Sequence, residues 1–267
     1  MSLFELAILA IVQGITEFLP ISSSGHLILL PQLMQSDDQG LALDVAVHVG
    51  TLGAVMLFFR AEVMRMGQGT RDMLSRKMQT SDARLVQLLV IATIPVIIAG
   101  FFLKVTGLSD AMRSMAVIGW TMLVFGILLY WADQRGPVTK TDADWNLRDA
   151  IIMGLWQAVA LIPGTSRSGI TITASRMLGY NREDGARIAM LMSIPTIIAS
   201  GALLAVDVIG EADWQTAQDA LIGAVLAFIS AYLALALMMR LLKTVSYTPY
   251  VIYRVVLGII LLVIAYS

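Results

Sequence analysis

The sequence of 267 residues contains no cysteine. This absence excludes a disulfide framework, a thiol nucleophile and a cysteine-ligated metal site. Charged residues are also scarce, because they make up 14% of the chain, whereas about 25% is usual in soluble domains. The first residues have neither the basic segment nor the small-residue cleavage site of a secretory signal, so we expect no cleaved leader.

Apolar residues take the place of the missing charges: 58% of the chain is hydrophobic, and the mean hydropathy is +0.79. A helix that crosses a bilayer needs about 20 such residues. We therefore predict an all-α polytopic membrane protein, a single integral domain over residues 1–267, with membrane lipids and no nucleic acid as partners. The six predicted spans lie near 43–60, 85–105, 112–132, 186–207, 218–240 and 249–266.

Two further apolar regions, 3–34 and 150–180, are each interrupted halfway by Pro, Gly and Ser. Each half is too short to cross a bilayer by itself. Non-helical backbone is tolerated at membrane depth only where protein or a wet cavity surrounds it. Both regions are therefore predicted to form re-entrant helical hairpins.

Lys and Arg are concentrated in the 60–84 and 133–149 connections, after the second hairpin and before the last span. With six spans and two hairpins, all of these places fall on one side, which is the cytoplasm by the positive-inside rule. The opposite side keeps only Lys104 and Arg113. Both termini are then predicted outside, the first hairpin enters from outside, and the second enters from the cytoplasm.

The two hairpins also match each other in sequence at an offset of 144 residues. Similar tips inserted from opposite sides predict an inverted-topology repeat, with its site where the tips meet near the midplane. The halves of the repeat would cover about 1–132 and 150–267. The matched pairs are Gln13 with Gln157, Ser22 with Ser166, Ser24 with Ser168 and Gly25 with Gly169.

The first tip reads QGITEFLPISSSGH and carries ionisable groups where they are costly and usually functional. Gln13 and Glu17 are four residues apart, so they share one helical face. Pro20 blocks continuation of that helix. A new helix is expected near Gly25, and its free amides would form an anion site beside His26.

Hydroxyl groups surround this anion site. Ser22, Ser23 and Ser24 are suited to cap the new helix, and Gly25 would allow the backbone to approach a ligand closely. His26 is the side chain here that titrates near neutrality.

The second tip, PGTSRSGIT at 163–171, repeats the arrangement. Pro163 and Gly164 break the chain, and Ser166 or Ser168 can cap the next helix. Arg167 adds a permanent cation whose planar fork suits phosphate oxygens. Together the tips predict a phosphate site with acid–base groups and an oxygen nucleophile.

Each of these residues also has a structural interpretation. Glu17 could be an interfacial carboxylate, the serines only helix caps, and Arg167 a partner of some carboxylate within the bundle. His48, inside an apolar span, is interpreted as structural. The residues interpreted as a membrane-interface belt and anchor are Tyr247, Tyr253 and Arg254.

At the two tips the sequence resembles the undecaprenyl-diphosphatase family, also called the bacitracin-resistance family. The resemblance extends over essentially the whole chain. It implies a bacterial inner-membrane enzyme that removes the terminal phosphate of undecaprenyl diphosphate and so returns the carrier lipid to peptidoglycan synthesis. It also implies a site that faces the periplasm or exterior and a divalent cation, Mg²⁺ or Ca²⁺, and it leaves a homodimer open.

The resemblance implies functional positions at Glu17, Ser22, Ser23, Ser24, His26, Ser166 and Arg167. The chemistry of the residues, with this resemblance as support, predicts catalytic roles for Glu17, Ser23, His26 and Arg167. Ser23 is the preferred nucleophile, with a phosphohistidine at His26 and direct attack by water as alternatives. Glu17 would orient His26 or Ser23, or hold the cation together with Gln13, although many family members have Glu where this chain has Gln13. The predicted substrate-binding residues are Ser22, Ser24, Gly25, Ser166, Ser168 and Thr171.

Three other functions are compatible with parts of the pattern. Lipid phosphatases with a haloperoxidase-like site also combine serines with histidine, but the Arg-Pro element of that site is missing here. An intramembrane serine protease could use Ser23 and His26, but it would have no need of Arg167. An anionic-lipid transporter or flippase would use the same inverted repeat and broken helices.

Overall fold

The computed structural model describes residues 2–30, 41–108, 112–208 and 214–267. Within these ranges the chain is helical and contains no β-strand, apart from one isolated bridge between Lys140 and Tyr180. The helices are α1 (Leu3–Phe18), α2 (Ser23–Leu27), α3 (Leu41–Phe58), α4 (Arg60–Leu74), α5 (Ser81–Thr106), α6 (Met115–Arg135), a 3₁₀ turn (Asp142–Asp144), α7 (Leu147–Val159), α8 (Arg167–Met177), α9 (Arg182–Val208), α10 (Trp214–Leu241) and α11 (Thr248–Tyr266).

Local capping signals explain where several of these helices begin. Ser2 and Glu5 form a reciprocal capping box at the start of α1. The side chains of Thr80, Ser114 and Asn146 each accept a hydrogen bond from a backbone amide in the first turn of α5, α6 and α7. These caps satisfy amides that the helix itself leaves without a partner.

Among the described residues, α5, α6, α9, α10 and α11 are long and apolar enough to cross a membrane. The pair of α3 and α4 passes the same test together but bends by 92° at its junction. The prediction of an all-α polytopic membrane protein is therefore confirmed. The 60–84 connection, in contrast, is not simply a loop, because most of it forms α4, which carries Arg60, Arg65 and Arg71.

Each broken region packs along one long helix: α1 lies against α10, and α7 lies against α5. Glycine permits both approaches. A Cβ atom on Gly14 would lie 2.0 Å from the Ser230 hydroxyl oxygen, and one on Gly154 would lie 2.6 Å from the Ala92 carbonyl oxygen. Small residues at helix contacts are the usual means of close packing in membranes. The inverted relation of the two halves stays a prediction.

A buried carboxylate joins four helices at the end of the bundle that carries most of the cations. Asp133 of α6 accepts hydrogen bonds from Arg176, Arg182 and the backbone amide of Tyr247. Tyr247 is fully buried and donates its hydroxyl proton to the carbonyl of Arg182. The interpretation of Tyr247 as part of an interface belt is therefore wrong, because its ring lies inside the protein.

Candidate active site

The two helix breaks have the same backbone geometry. Ser22 has φ 71° and ψ 106°, and Ser166 has φ 68° and ψ 113°. Positive φ is uncommon for residues other than glycine, and it often marks a functional site. The hydroxyl of each serine also contacts the hydroxyl two residues later, Ser24 at 3.0 Å and Ser168 at 3.1 Å. The sequence match at an offset of 144 is thus visible in the local structure.

The two tips are in direct contact, as the sequence predicts. The backbone amide of Gly164 donates to the Ser24 hydroxyl at 2.9 Å. In the other direction, the Ser168 hydroxyl donates to the carbonyl of Leu19 at 2.9 Å. These polar bonds satisfy backbone groups that the broken helices leave free.

Arg254 of α11 donates hydrogen bonds to backbone carbonyl groups of both tips. Its Nη2 donates to the carbonyl oxygens of Gly164 and Thr165 at 3.1 and 2.9 Å. Its Nη1 lies 3.5 Å from the carbonyl oxygen of Pro20. The side chain is fully buried, so the interpretation of Arg254 as a membrane anchor is wrong. An arginine in the middle of an apolar run was itself the signal of a buried role.

A cavity of about 790 Å³ opens in front of the tips. Its polar wall comes from both hairpins and from neighbouring helices. The residues that line it include Glu17, Ser23, His48, Arg113, Ser166 and Arg167.

An ion pair joins the two hairpins inside this cavity. Nη2 of Arg167 donates to Oε1 of Glu17 at 2.8 Å, and Nη1 donates to the carbonyl of Ser193 at 3.2 Å. The Glu17 side chain is 9% exposed and that of Arg167 is 16% exposed. A guanidinium has five N–H groups, so three remain for another anion. The sequence is therefore right that both residues share one site.

The three serines of the first tip differ in their bonding. Ser22 and Ser24 bond each other, and Ser24 also binds the second tip. The Ser23 hydroxyl lines the cavity and makes no hydrogen bond with the described residues. Ser23 is therefore the hydroxyl that is free to meet a ligand.

His26 is held by hydrogen bonds at both ring nitrogens. Its Nδ1 lies 2.8 Å from the Ser22 carbonyl oxygen, and its Nε2 lies 2.6 Å from the hydroxyl of Tyr253. The two rings are stacked with centroids 5.5 Å apart. Since a carbonyl only accepts, Nδ1 carries the proton and the Tyr253 hydroxyl donates to Nε2. The Ser22 carbonyl thus fixes the tautomer of His26, and Tyr253, interpreted from sequence as an interface residue, helps to hold its ring.

The helix that follows each tip differs in length. The first, α2, has only five residues, and its Ser22 makes no capping bond through the side chain. The second, α8, has eleven residues, and the Ser166 hydroxyl accepts from the amide of Gly169 at 3.1 Å. The anion site expected at a helix N-terminus stays a prediction, and α8 is the helix long enough to have an appreciable dipole.

Three predicted substrate-binding residues do not line the cavity. A Cβ atom on Gly25 would lie 2.6 Å from Met122 Sδ, so this glycine serves helix packing. Thr171 is fully buried and donates its hydroxyl to the carbonyl of Arg167 at 2.8 Å. Ser168 is buried and bonds the opposite tip. Ser22, Ser24 and Ser166 do reach the cavity wall.

His48, interpreted from sequence as structural, lines the cavity. Its Nε2 lies 3.3 Å from Nε2 of Gln13 and 3.9 Å from Oε2 of Glu17. Gln13 itself is fully buried and donates to Glu17 Oε2 at 2.8 Å. A single sequence does not show that His48 contacts Gln13, 35 residues away, although a polar side chain within an apolar span was a signal of some buried partner.

The described residues contain no group of three or more His, Asp or Glu side chains that could hold a metal ion. Glu17 is the carboxylate beside Arg167, and Asp44 lies elsewhere on the cavity wall. Gln13 does not line the cavity, so it is not placed as a ligand. A Mg²⁺ ion commonly uses one or two carboxylates together with substrate phosphates and water, and Glu17 fits that donor set.

The chain is similar to one known family over nearly its whole length. The sequence profile of the bacitracin resistance protein BacA matches residues 6–260. A protein of Jannaschia sp. named undecaprenyl-diphosphatase is 67% identical over the full length of both chains. A protein of the same name from Dinoroseobacter shibae is 64% identical, again over both full lengths. Undecaprenyl-diphosphatase 2 of Stutzerimonas stutzeri is 46% identical, and the alignment covers 98% of each chain.

Proposed function

We propose that this chain, which belongs to the bacitracin resistance protein BacA family, hydrolyses undecaprenyl diphosphate to undecaprenyl phosphate and inorganic phosphate. The observation that carries the proposal is that the ion pair of Glu17 and Arg167 and the Ser23 hydroxyl line one cavity. Cleavage of the phosphoanhydride bond to a terminal phosphate needs a fixed cation, hydrogen-bond donors and a nucleophile, and these residues supply all three.

In the proposed reaction, the Ser23 oxygen attacks the terminal phosphorus of the diphosphate. The bond from that phosphorus to the bridging oxygen breaks, and undecaprenyl phosphate leaves. Water then hydrolyses the phosphoserine, which releases phosphate and restores the hydroxyl. The remaining N–H groups of Arg167 and the N-terminus of α8 hold the phosphoryl oxygens and offset the charge that develops on them.

His26 is proposed to take the Ser23 proton. Its unprotonated nitrogen in the neutral ring is Nε2, to which the Tyr253 hydroxyl donates. That hydroxyl must therefore move aside or pass the proton on. A phosphohistidine would need the same nitrogen, so the contact with Tyr253 does not separate the two routes. The serine route is preferred because Ser23 lines the cavity, whereas His26 is not among the lining residues.

A divalent cation, Mg²⁺ or Ca²⁺, is proposed as a cofactor that arrives with the diphosphate. Glu17 would hold it. When bound, it would neutralise part of the charge on the phosphate oxygens.

We place the protein in the bacterial inner membrane, with the cavity open to the periplasm. Arg113 lines the cavity, and it belongs to the connection that the Lys and Arg distribution assigns to the outside. An outward site would return the carrier lipid to peptidoglycan synthesis, and this recycling agrees with the bacitracin resistance for which the family is named.

The test is phosphate release from undecaprenyl diphosphate by purified protein in detergent, with Mg²⁺ or Ca²⁺ present. The parent protein should turn over, and Arg167→Ala should lose most of its activity while it remains folded. Arg167→Lys should recover little, because an ammonium lacks the planar fork. A folded parent protein that releases no phosphate, but moves the lipid across vesicles, would establish the transporter instead.

A further inference from the structure

His48 has a fixed proton arrangement because of its place on α3. Its Nδ1 lies 2.7 Å from the carbonyl oxygen of Asp44, one helical turn earlier. A carbonyl oxygen only accepts hydrogen bonds, so Nδ1 must donate. In the neutral ring, the lone pair of Nε2 then faces Gln13.

The amide nitrogen of Gln13 donates a hydrogen bond to this lone pair. Gln13 Nε2 lies 3.3 Å from His48 Nε2 and 2.8 Å from Glu17 Oε2. The carboxylate and the neutral imidazole nitrogen are both acceptors, and the amide nitrogen has two protons to give. The reversed amide would put its oxygen against the Glu17 carboxylate. Since Gln13 is fully buried, it cannot turn to water instead.

The hydrogen bond between Glu17 and Arg167 also has a fixed direction. Glu17 Oε1 accepts from Arg167, which can only donate. Hydrogen bonds therefore run outward from Gln13 to both His48 and Glu17, and the Glu17 carboxylate is held at both oxygens. The carboxylate orientation in turn sets where the Arg167 guanidinium lies.

We infer that His48 is a positioning residue of the proposed hydrolysis: through Gln13 it fixes the Glu17 carboxylate, and hence Arg167, against the phosphate. The inference rests on the proposed function and assigns a role that the sequence did not indicate. In this chain the Gln13 amide nitrogen has one proton for each of these two acceptors, Glu17 and the lone pair of His48 Nε2.

The first experiment compares His48→Ala, which removes the acceptor, with His48→Gln, whose side-chain oxygen can replace Nε2. Val49→Ala is the control on the same helix, because Val49 is exposed on another face. We expect His48→Ala to lower kcat about 10-fold to 100-fold, the usual cost of a misplaced catalytic group, with little change in KM. His48→Gln and Val49→Ala should stay within about threefold of the parent.

The second experiment tests whether the effect passes through Gln13. Gln13→Leu should lower kcat, and adding His48→Ala should then cost nothing more, because coupled residues are not additive. If the losses multiply, if His48→Ala raises only KM, or if His48→Gln is as poor as His48→Ala, the positioning role is wrong. Should His48→Ala fail to fold, His48→Leu carries the same comparison.

A spectroscopic test separates this inference from the proposed function. The chain has two histidines, so ¹⁵N-histidine labelling in detergent gives two imidazoles, and His48→Gln assigns them. The geometry predicts a proton on His48 Nδ1 and a lone pair on Nε2 that accepts from Gln13. We expect Gln13→Leu to shift the His48 Nε2 resonance without moving that of His26. A proton on Nε2, or no response to Gln13→Leu, would overturn the inference whether or not the parent protein releases phosphate.

Discussion

Arg167 and Glu17 come from different hairpins, yet each is the nearest charged partner of the other. A buried ion pair contributes little net stability, but breaking it leaves an uncompensated charge. In this site the pair has a second consequence, because Glu17 uses only one of the five N–H groups of Arg167. The arginine is thus held in place before a phosphate arrives and can still bind it.

The hydroxyl bonding of the first tip makes a prediction that separates three adjacent serines. Ser23→Ala should abolish turnover with little loss of stability, because its hydroxyl has no partner among the described residues. Ser24→Ala should lower stability by about 1 kcal/mol, since Gly164 loses its acceptor, and should keep measurable activity. Phosphate release and thermal unfolding of the three alanine variants in one detergent give the comparison.

Ser22→Ala is the matched control in that series, since among the described residues the Ser22 hydroxyl bonds Ser24 and makes no contact with the second tip. Substantial turnover by Ser23→Ala would reject the covalent serine intermediate. Attack by water or by His26 would then be the alternatives to examine.

At this scale the sequence predicts well the residues that lie within the motifs. Glu17, Ser23 and Arg167 meet because Pro20 and Pro163 break their helices at matching places. It misses His48 and Arg254, because their contacts join helices that are distant along the chain. For both, the useful signal was a polar side chain in an apolar run, and a single sequence does not say what that side chain faces.

Among the helices, α11 is mostly apolar, yet it contributes two polar side chains to the site. It supplies Arg254 to three carbonyl oxygens of the two tips and Tyr253 to His26. Two residues that are adjacent in sequence thus reach the site from one helix. A re-entrant tip leaves carbonyl groups that lipid cannot satisfy, and a neighbouring helix must supply the donors.

Arg254→Met should therefore destabilise the tips as well as slow turnover. Methionine fills similar space but donates no hydrogen bond, and each buried carbonyl left without a donor costs about 1–3 kcal/mol. Arg240→Met is the control, because Arg240 is exposed. We expect a lower unfolding temperature and lower kcat for Arg254→Met alone, measured by thermal unfolding and phosphate release. Unchanged values would mean that the tips hold each other without Arg254.

The sequence predicts the helices more reliably than the connections between them. The spans near 85–105 and 249–266 correspond to α5 and α11. The amphipathic charges of 60–84 predict a solvated cytoplasmic loop, whereas residues 60–74 form the helix α4 at 92° to α3. Charge density favours solvent exposure but does not exclude helix, so the pattern could not separate the two.

Two of the polar networks among the described residues each join several helices. One is the pair of tips with Arg254 and the cavity. The other is the network of Asp133 with Arg176, Arg182 and Tyr247. Between and around them the long helices expose apolar side chains, as expected of a lipid-facing surface. The tips thus have a rigid support, which a site that must hold a phosphate in one geometry requires.

Opposite ends of α5 provide a test of how this architecture sits in the membrane. The chain has no native cysteine, so an introduced thiol reports its own side without background. Ser75 precedes α5 and Thr106 is its last residue, and both are exposed. The Lys and Arg distribution predicts that Ser75→Cys faces the cytoplasm and Thr106→Cys the periplasm. An impermeant maleimide added to intact cells should therefore label Thr106→Cys at once and Ser75→Cys only after the membrane is opened. The reverse pattern would invert the topology and place the cavity, with Arg113 on its wall, on the cytoplasmic face. Labelling of both from outside would mean that α5 does not span the bilayer.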